Sequence, residues 1–260
     1  MALSHMLEKS ILIVAHPDDE VLWFSSILDR VDQIVFCFLE CKSRPVWTEG
    51  RKLALLNHPI KNLSCLEIDE SAVFSDYNWH NPVITDYGIK IKDENKQETR
   101  YKQNFNKLKR KLELILQNYS NVITHNPWGE YGNEEHIQIY RALNELQQIN
   151  NYNLWFNNYC SNKSLKIVMD YIDLLDFDSV TFKTNKKLSK KIQKLYQKYN
   201  CWTWYDDWQV LDQETFVRIE TDLRNVDKYG QAFPLNLIKV EFSNKTKEKK
   251  GILKKLLRKM

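Results

Sequence analysis

The sequence predicts an α/β fold: a doubly wound, mostly parallel sheet with helices on both faces and an elaborated C-terminal part. Short apolar runs rich in β-branched and aromatic residues alternate with longer amphipathic stretches through the first half of the chain. That β-α-β-α order needs crossover connections, and crossovers favour parallel strands. Two of the apolar runs lead straight into dense groups of His, Asp and Glu, at the strand edge where open α/β sheets bind ligands.

The strands are expected at "SILIVA" (10–15), "IVFCFL" (34–39), "CLEI" (65–68) and "NVITH" (121–125). Helical patterns fill the gaps at 18–31, 48–57, 97–119 and 133–149. In the third of these, Phe105, Leu108, Leu112, Leu116 and Tyr119 recur every three or four residues and form one stripe. Residues 70–100, centred on "YNWHNPVITDYG", read as an excursion between sheet elements rather than core. Beyond 150, "LWFNNY" and "TFVRIE" read as further strands and "NKKLSKKIQKLYQKY" as a basic helix. The expected organisation is a single domain over 1–243, its motif-bearing core at 9–145, followed by a basic amphipathic tail at 244–260.

Composition narrows the function classes. Hydrophobic content of 43 % with 28 % charge suits a soluble globular chain, and the apolar run at 11–15 is too short for a membrane span. Five cysteines, an odd number without CxxC spacing, point to free thiols and a reducing cytoplasm rather than a thiolate zinc site. The tail carries eight Lys/Arg against one Glu, which leaves the remainder about −3, so no large basic face is expected for nucleic acid. Ile252, Leu253, Leu256 and Leu257 lie at helical spacing among its cations. That pattern fits docking on the inner, anionic face of a membrane, and equally a solvated terminus. The Asn, Lys and Ile bias suggests a bacterial, AT-rich coding sequence.

Two clusters carry the chemistry. "AHPDDE" (15–20) ends the first apolar run. "NPWGEYG" (126–132) follows the fourth and takes two of the six glycines and one of the six prolines. Scarce backbone punctuation spent on one loop suggests that its conformation matters. His136 follows in the first turn of the next helix. His16, Asp18, Asp19 and His136 can therefore converge from two loops. Two imidazoles and a carboxylate form a sound ligand set for Zn²⁺ with a place left for water. The remaining carboxylate can take a proton from that water, whose pKa zinc lowers from ~15.7 toward ~7. Each residue also has a plainer explanation: a packed strand-end histidine, acidic residues favoured at a helix start, a generic turn.

"AHPDDE" resembles the signature of the PIG-L/LmbE-like family of zinc-dependent N-deacetylases and amidases. "GEYGNEEH" (129–136) is similar to that family's second motif, G-x-Y-G-H-x-x-H. The resemblance covers roughly residues 9–145. It implies a Rossmann-like fold, one Zn²⁺ per chain held by His16, Asp19 and His136, Asp18 as general base, and Tyr131 polarising the acyl oxygen. It also implies a substrate-contacting arginine, for which Arg51 is the best positional match. Asn133 stands where the motif has its first histidine. An asparagine can donate to an oxyanion but cannot deliver a proton, so His125 at the strand end, or Asp18 acting twice, is expected to serve. Trp128, Trp202, Trp204 and Trp208 are candidates for stacking on a sugar face, or for packing, and Asp206 and Asp207 for binding sugar hydroxyls or facing water. The implied activity is removal of an N-acetyl group from an amino sugar or sugar conjugate in glycan biosynthesis. Amide cleavage on a thiol or peptidic metabolite, or a weakly active metal-stabilised carbohydrate-binding protein, are the alternatives.

Overall fold

The computed structural model describes residues 5–74, 78–91, 97–219, 230 and 232–241. After a short 3-10 turn the chain runs β1 (Ser10–Val14), α1 (Asp19–Trp23), β2 (Gln33–Glu40), α2 (Pro45–Leu56) and β3 (Leu63–Asp69). A two-residue-stranded hairpin, β4 (Ile84–Thr85) and β5 (Gly88–Ile89), precedes α3 (Gln97–Leu116), β6 (Asn121–Thr124) and α4 (Glu134–Asn150). The C-terminal part adds β7 (Asn153–Asn157), β8 (Tyr159–Ser161), α5 (Leu165–Tyr171), β9 (Leu175–Lys183), α6 (Lys186–Lys198), β10 (Gln213–Ile219) and β11 (Asn236–Ile238).

Seven strands form one sheet in the order β3-β2-β1-β6-β7-β10-β9. The first five are parallel, as the sequence predicts, whereas β10 pairs antiparallel with both β7 and β9. β1 is buried along its whole length, consistent with a strand covered on both faces. Its alternate residues feed two cores. Ile11 and Ile13 join Phe105, Leu108, Leu112, Ile137 and Leu143 beneath α3 and α4. Leu12 and Val14 join Trp23, Phe24, Ala54, Ile192 and Tyr196 beneath α1, α2 and α6. Helices therefore cover both faces.

This topology fixes where a site can form. From β1 the chain winds outward through β2 and β3, then returns to pair β6 on the other side of β1. The winding direction reverses between β1 and β6, and the loops leaving their C-terminal ends diverge to open a crevice. "AHPDDE" and "NPWGEYG" are those two loops.

Three expectations change. The helix expected over 18–31 is only five residues long, because the amides of Ser25 and Ser26 donate to the Glu214 carboxylate on β10 instead of continuing the helical ladder. Residues 70–100 are not merely an excursion: Val73, Trp79, Ile89 and Ile91 are buried in the α3/α4 core. β9 has no counterpart in the sequence reading. Its apolar letters sit at 175 and 177 and then at 180 and 182, out of phase, and its ladder with β10 shifts register between Phe216 and Arg218. The tail at 244–260 lies outside the described residues.

Candidate metal centre and active site

The loop after β1 is held by its own side chains. The Ala15 amide donates to His125 Nε2 (2.9 Å), the His16 amide to Asp19 Oδ2 (2.7 Å), and the Asp18 amide to Glu20 Oε2 (3.0 Å). Glu20 is itself fully buried and accepts from the Tyr196 hydroxyl. These bonds support Asp18 at φ 114°, a left-handed conformation that a residue other than glycine adopts only when its surroundings over-determine it. The loop after β6 needs left-handed backbone too. Gly129 has φ +68°, and a Cβ there would strike the Asn133 carbonyl.

Asp19 Oδ2 is where the two loops meet. His16 Nδ1 lies 3.1 Å from it and His136 Nε2 3.3 Å, while the other oxygen, Oδ1, accepts from the Trp23 indole. The far nitrogen of each imidazole is bonded to a buried glutamate: His16 Nε2 to Glu135 Oε2 at 2.9 Å, and His136 Nδ1 to Glu130 Oε2 at 2.7 Å. With a proton on each far nitrogen, the near nitrogens keep their lone pairs for a metal. Asp19 and the two imidazoles can bring one ligand atom each within 4.8 Å of one another. His136 Nε2 is buried and makes no hydrogen bond among the described residues, an orphan that a cation would satisfy. The residues thus fit a divalent ion, and a His₂-carboxylate set suits zinc as well as iron(II).

Charge follows the same geometry. Burial alone would lower the His136 imidazole, but the charges of Asp19 and Glu130, with its bond to Glu130, raise it to about 9. His16 likewise rises well above its ordinary value, its bonds to Asp19 and Glu135 outweighing burial. Burial would raise Glu130, yet the neighbouring His125 and His136 bring it down to about 2. The pocket is built to hold positive charge.

Asp18 stands apart from the ligand trio. Burial, then the charge of Asp19, push its carboxyl up to about 8, against the lowering effects of Thr203 and Arg51. Its Oδ2 accepts from Thr203, whereas its Oδ1 is buried without a partner. Tyr131 lies across His136 with its ring between Trp23 (5.5 Å) and Trp204 (4.7 Å). Its hydroxyl accepts from Asn133 Nδ2 (2.7 Å), which leaves its own proton available to a ligand.

Several assignments made from the sequence change. Asn133 is the N-cap of α4: its Oδ1 accepts from the amides of Glu135 and His136, and its Nδ2 is occupied by Tyr131. It orients the tyrosine and caps α4, a structural role in place of the expected oxyanion donor. His125 cannot deliver a proton to a leaving group. It is fully buried, with Nε2 accepting from Ala15 and Nδ1 bonded to Glu130, and burial with the charge of His136 lowers its pKa. Arg51 is 2 % exposed, and its Nη1 is bonded to Glu70 and the Leu39 carbonyl rather than open to the crevice as expected of a substrate contact. Trp128 is fully buried, its indole donating to the Tyr159 carbonyl, with no face left for a sugar. Trp204 does line a cavity of about 280 Å³ with Tyr131, Thr203, Tyr205, Lys163 and Phe74. Asp206 and Asp207 are exposed.

Glu130 and Glu135 were missed. Both lie at the variable positions of the second motif. The sequence carries no signal for them, because it is the fold that buries these two carboxylates.

No family model matches the chain. Uncharacterized protein L374 of Acanthamoeba polyphaga mimivirus is 25 % identical over 193 residues, covering 73 % of this chain and 80 % of that one. Among solved structures, the fold is similar to a deacetylase of the teicoplanin biosynthesis pathway in complex with teicoplanin, with a TM-score of 0.50 and 12 % identity. It is also similar to the zinc-inhibited form of teicoplanin deacetylase Orf2, with a TM-score of 0.51 and 10 % identity. Each alignment covers 82 % of this chain and 99 % of the other. The resemblance carried by the two motifs thus extends to the fold.

Proposed function

We propose that the protein is a divalent-metal-dependent hydrolase that removes an N-acetyl group from an amino sugar or sugar conjugate, with zinc the favoured ion. One observation carries the reading: His16 and His136 turn their near nitrogens toward one oxygen of Asp19, each braced on its far nitrogen by a buried glutamate. A trio so oriented, with an unpaired carboxylate oxygen on the adjacent residue, suits hydrolysis better than passive packing. The teicoplanin deacetylases of similar fold, one of them in a zinc-inhibited form, support removal of an acyl group.

A bound divalent cation supplies Lewis acidity, acidifying water and polarising an acyl oxygen. The chain's own residues do the rest. Asp18 Oδ1 takes the proton of the attacking water. The Tyr131 hydroxyl, held by Asn133, donates to the acyl oxygen as charge develops there. Asp18 then returns its proton to the departing amine, the double role that a chain without a histidine at 133 requires. Trp204, beside Tyr131, offers a ring edge to the sugar.

β9 and β10 extend the same sheet as the motif-bearing strands, which supports one domain over 1–243. The five cysteines are unpaired, which suits a reducing cytoplasm. No helix among the described residues is long and apolar enough to cross a membrane. Contact of the basic tail with an anionic membrane, and a place in glycan biosynthesis, complete the proposal.

The test is acetate release by zinc-loaded protein from N-acetyl amino sugars, free and nucleotide-linked, with Asp18→Ala alongside. Release that Asp18→Ala abolishes while retaining one metal per chain is the expected result. Metal bound at one equivalent with no release from any sugar would overturn the assignment of the acyl substrate.

A further inference from the structure

We infer that Thr203 is a positioning residue that fixes the orientation of the Asp18 carboxylate, an inference that rests on the reading of Asp18 as the base. Thr203 lies 185 residues from Asp18 in sequence, yet both its donors reach one atom. The backbone amide donates to Asp18 Oδ2 at 2.8 Å and the hydroxyl Oγ1 at 2.7 Å. Oδ1 is buried and has no partner among the described residues. Two donors on one carboxylate oxygen fix the rotation of the side chain, so Oδ1 is the oxygen left free for a reacting group. The amide of Asp18 is fixed by Glu20 from below. Thr203 supplies the matching constraint on the side chain, and together they leave the carboxylate one orientation.

The need for this constraint comes from Asn133. With His125 enclosed and Asn133 spent on capping α4 and holding Tyr131, Asp18 is the residue left to accept and return the proton. A carboxylate that must face first water and then an amine gains most from being locked about its own bond.

Thr203 also stands between Asp18 and the pocket. It lines the 280 Å³ cavity with Trp204 and Tyr205, and the Trp204 ring packs on Tyr131 at 4.7 Å and on Trp23 at 5.2 Å. The run is pinned at its start, where Cys201 packs against Gly50 so closely that a Cβ on that glycine would strike Cys201 and the Tyr199 carbonyl. Adjacent residues thus divide two tasks: Thr203 sets the base and Trp204 walls the ligand.

The experiment compares zinc-loaded wild type, Thr203→Val and Thr203→Ser on whichever N-acetyl sugar the wild type hydrolyses. Valine removes the hydroxyl at nearly constant shape. It is expected to lower kcat by about tenfold, a fraction of the roughly 10²–10⁴ typical of general acid–base catalysis, with KM and zinc stoichiometry unchanged. Serine keeps both donors and recovers most of that loss. A Thr203→Val enzyme with wild-type kcat, or a Thr203→Ser enzyme equally impaired, would overturn the inference. Crystal structures of zinc-loaded wild type and Thr203→Val probe the same role without turnover: the Asp18 carboxylate is expected to rotate in the variant, and an unmoved carboxylate refutes the role. Failure of the wild type on every sugar is the separate failure of the proposed function.

Discussion

The loops after β1 and β6 hold their functional groups by short, buried hydrogen bonds, whereas the 201–208 segment holds its own largely by ring packing. On the first side, His16, Asp19, His136, Glu130 and Glu135 form a closed set in which nearly every polar atom has a partner. On the other, Trp204 meets Trp23, Tyr131, Tyr205 and Trp208 ring to ring, and the indole nitrogens of Trp204 and Trp208 have no partner. Hydrogen bonds to charged groups fix angles as well as distances, and ring packing fixes mainly volume. The first wall is thereby suited to a metal of fixed geometry and the second to a ligand that varies.

The comparison breaks most visibly at Asp19. Its Oδ2 is the common point of both histidines, so Asp19→Asn should remove stoichiometric zinc binding, read as metal content after dialysis. Asp18→Ala should keep the metal and lose roughly 10²–10⁴-fold in turnover. If Asp18→Ala lost the metal as well, the division between ligand and base would be wrong.

A smaller effect is expected one layer out. Glu130→Gln keeps the shape but removes the charge that orients His136 and one of two accepting oxygens, and should weaken zinc binding by about 10–100-fold in a chelator competition. Trp204→Phe, on the packed wall, should leave zinc affinity unchanged and raise KM for the hydrolysed sugar, with kcat little altered. Zinc affinity that falls in both variants would mean that the walls are not independent.

The same contrast explains what could be read from the sequence. The convergence of His16, Asp18, Asp19 and His136 was legible because both loops follow apolar runs at the strand ends, whereas the choice of Asp19 over Asp18 rested on the resemblance. The braces were not, because Glu130 and Glu135 differ from surface glutamates only in being buried, which is a property of the fold. Thr203 was beyond reach for a stronger reason. Its partner is 185 residues away and no periodicity links the two. Trp128 misled because an indole in a polar, glycine-bearing loop resembles a ligand platform, when its ring had been claimed by Phe156 and the Tyr159 carbonyl. The five parallel strands were legible as apolar runs, and the antiparallel β9 was not, since its bulge scrambles the alternation that marks a half-buried strand.

Glu214 ties the end of α1 to β10 and gives the mildest test. From β10 it accepts from the amides of Ser25 and Ser26, just after α1, and from the Tyr159 hydroxyl. Burial raises its pKa above the ordinary 4.5, although those three donors favour the carboxylate. A carboxyl raised by folding binds more protons in the native than in the unfolded state. Its contribution to stability is thus fully present below pH 4.5 and lost as pH rises through the higher, folded value. Glu214→Gln has no such titration. It loses one favourable contact, since its amide nitrogen meets donors, but that cost does not vary with pH. The stability of wild type relative to Glu214→Gln should therefore be greater near pH ~5 than near pH ~8, measured by urea unfolding at each. A difference that grew with pH would mean that the donors outweigh burial, and that Glu214 holds the end of α1 as an anion.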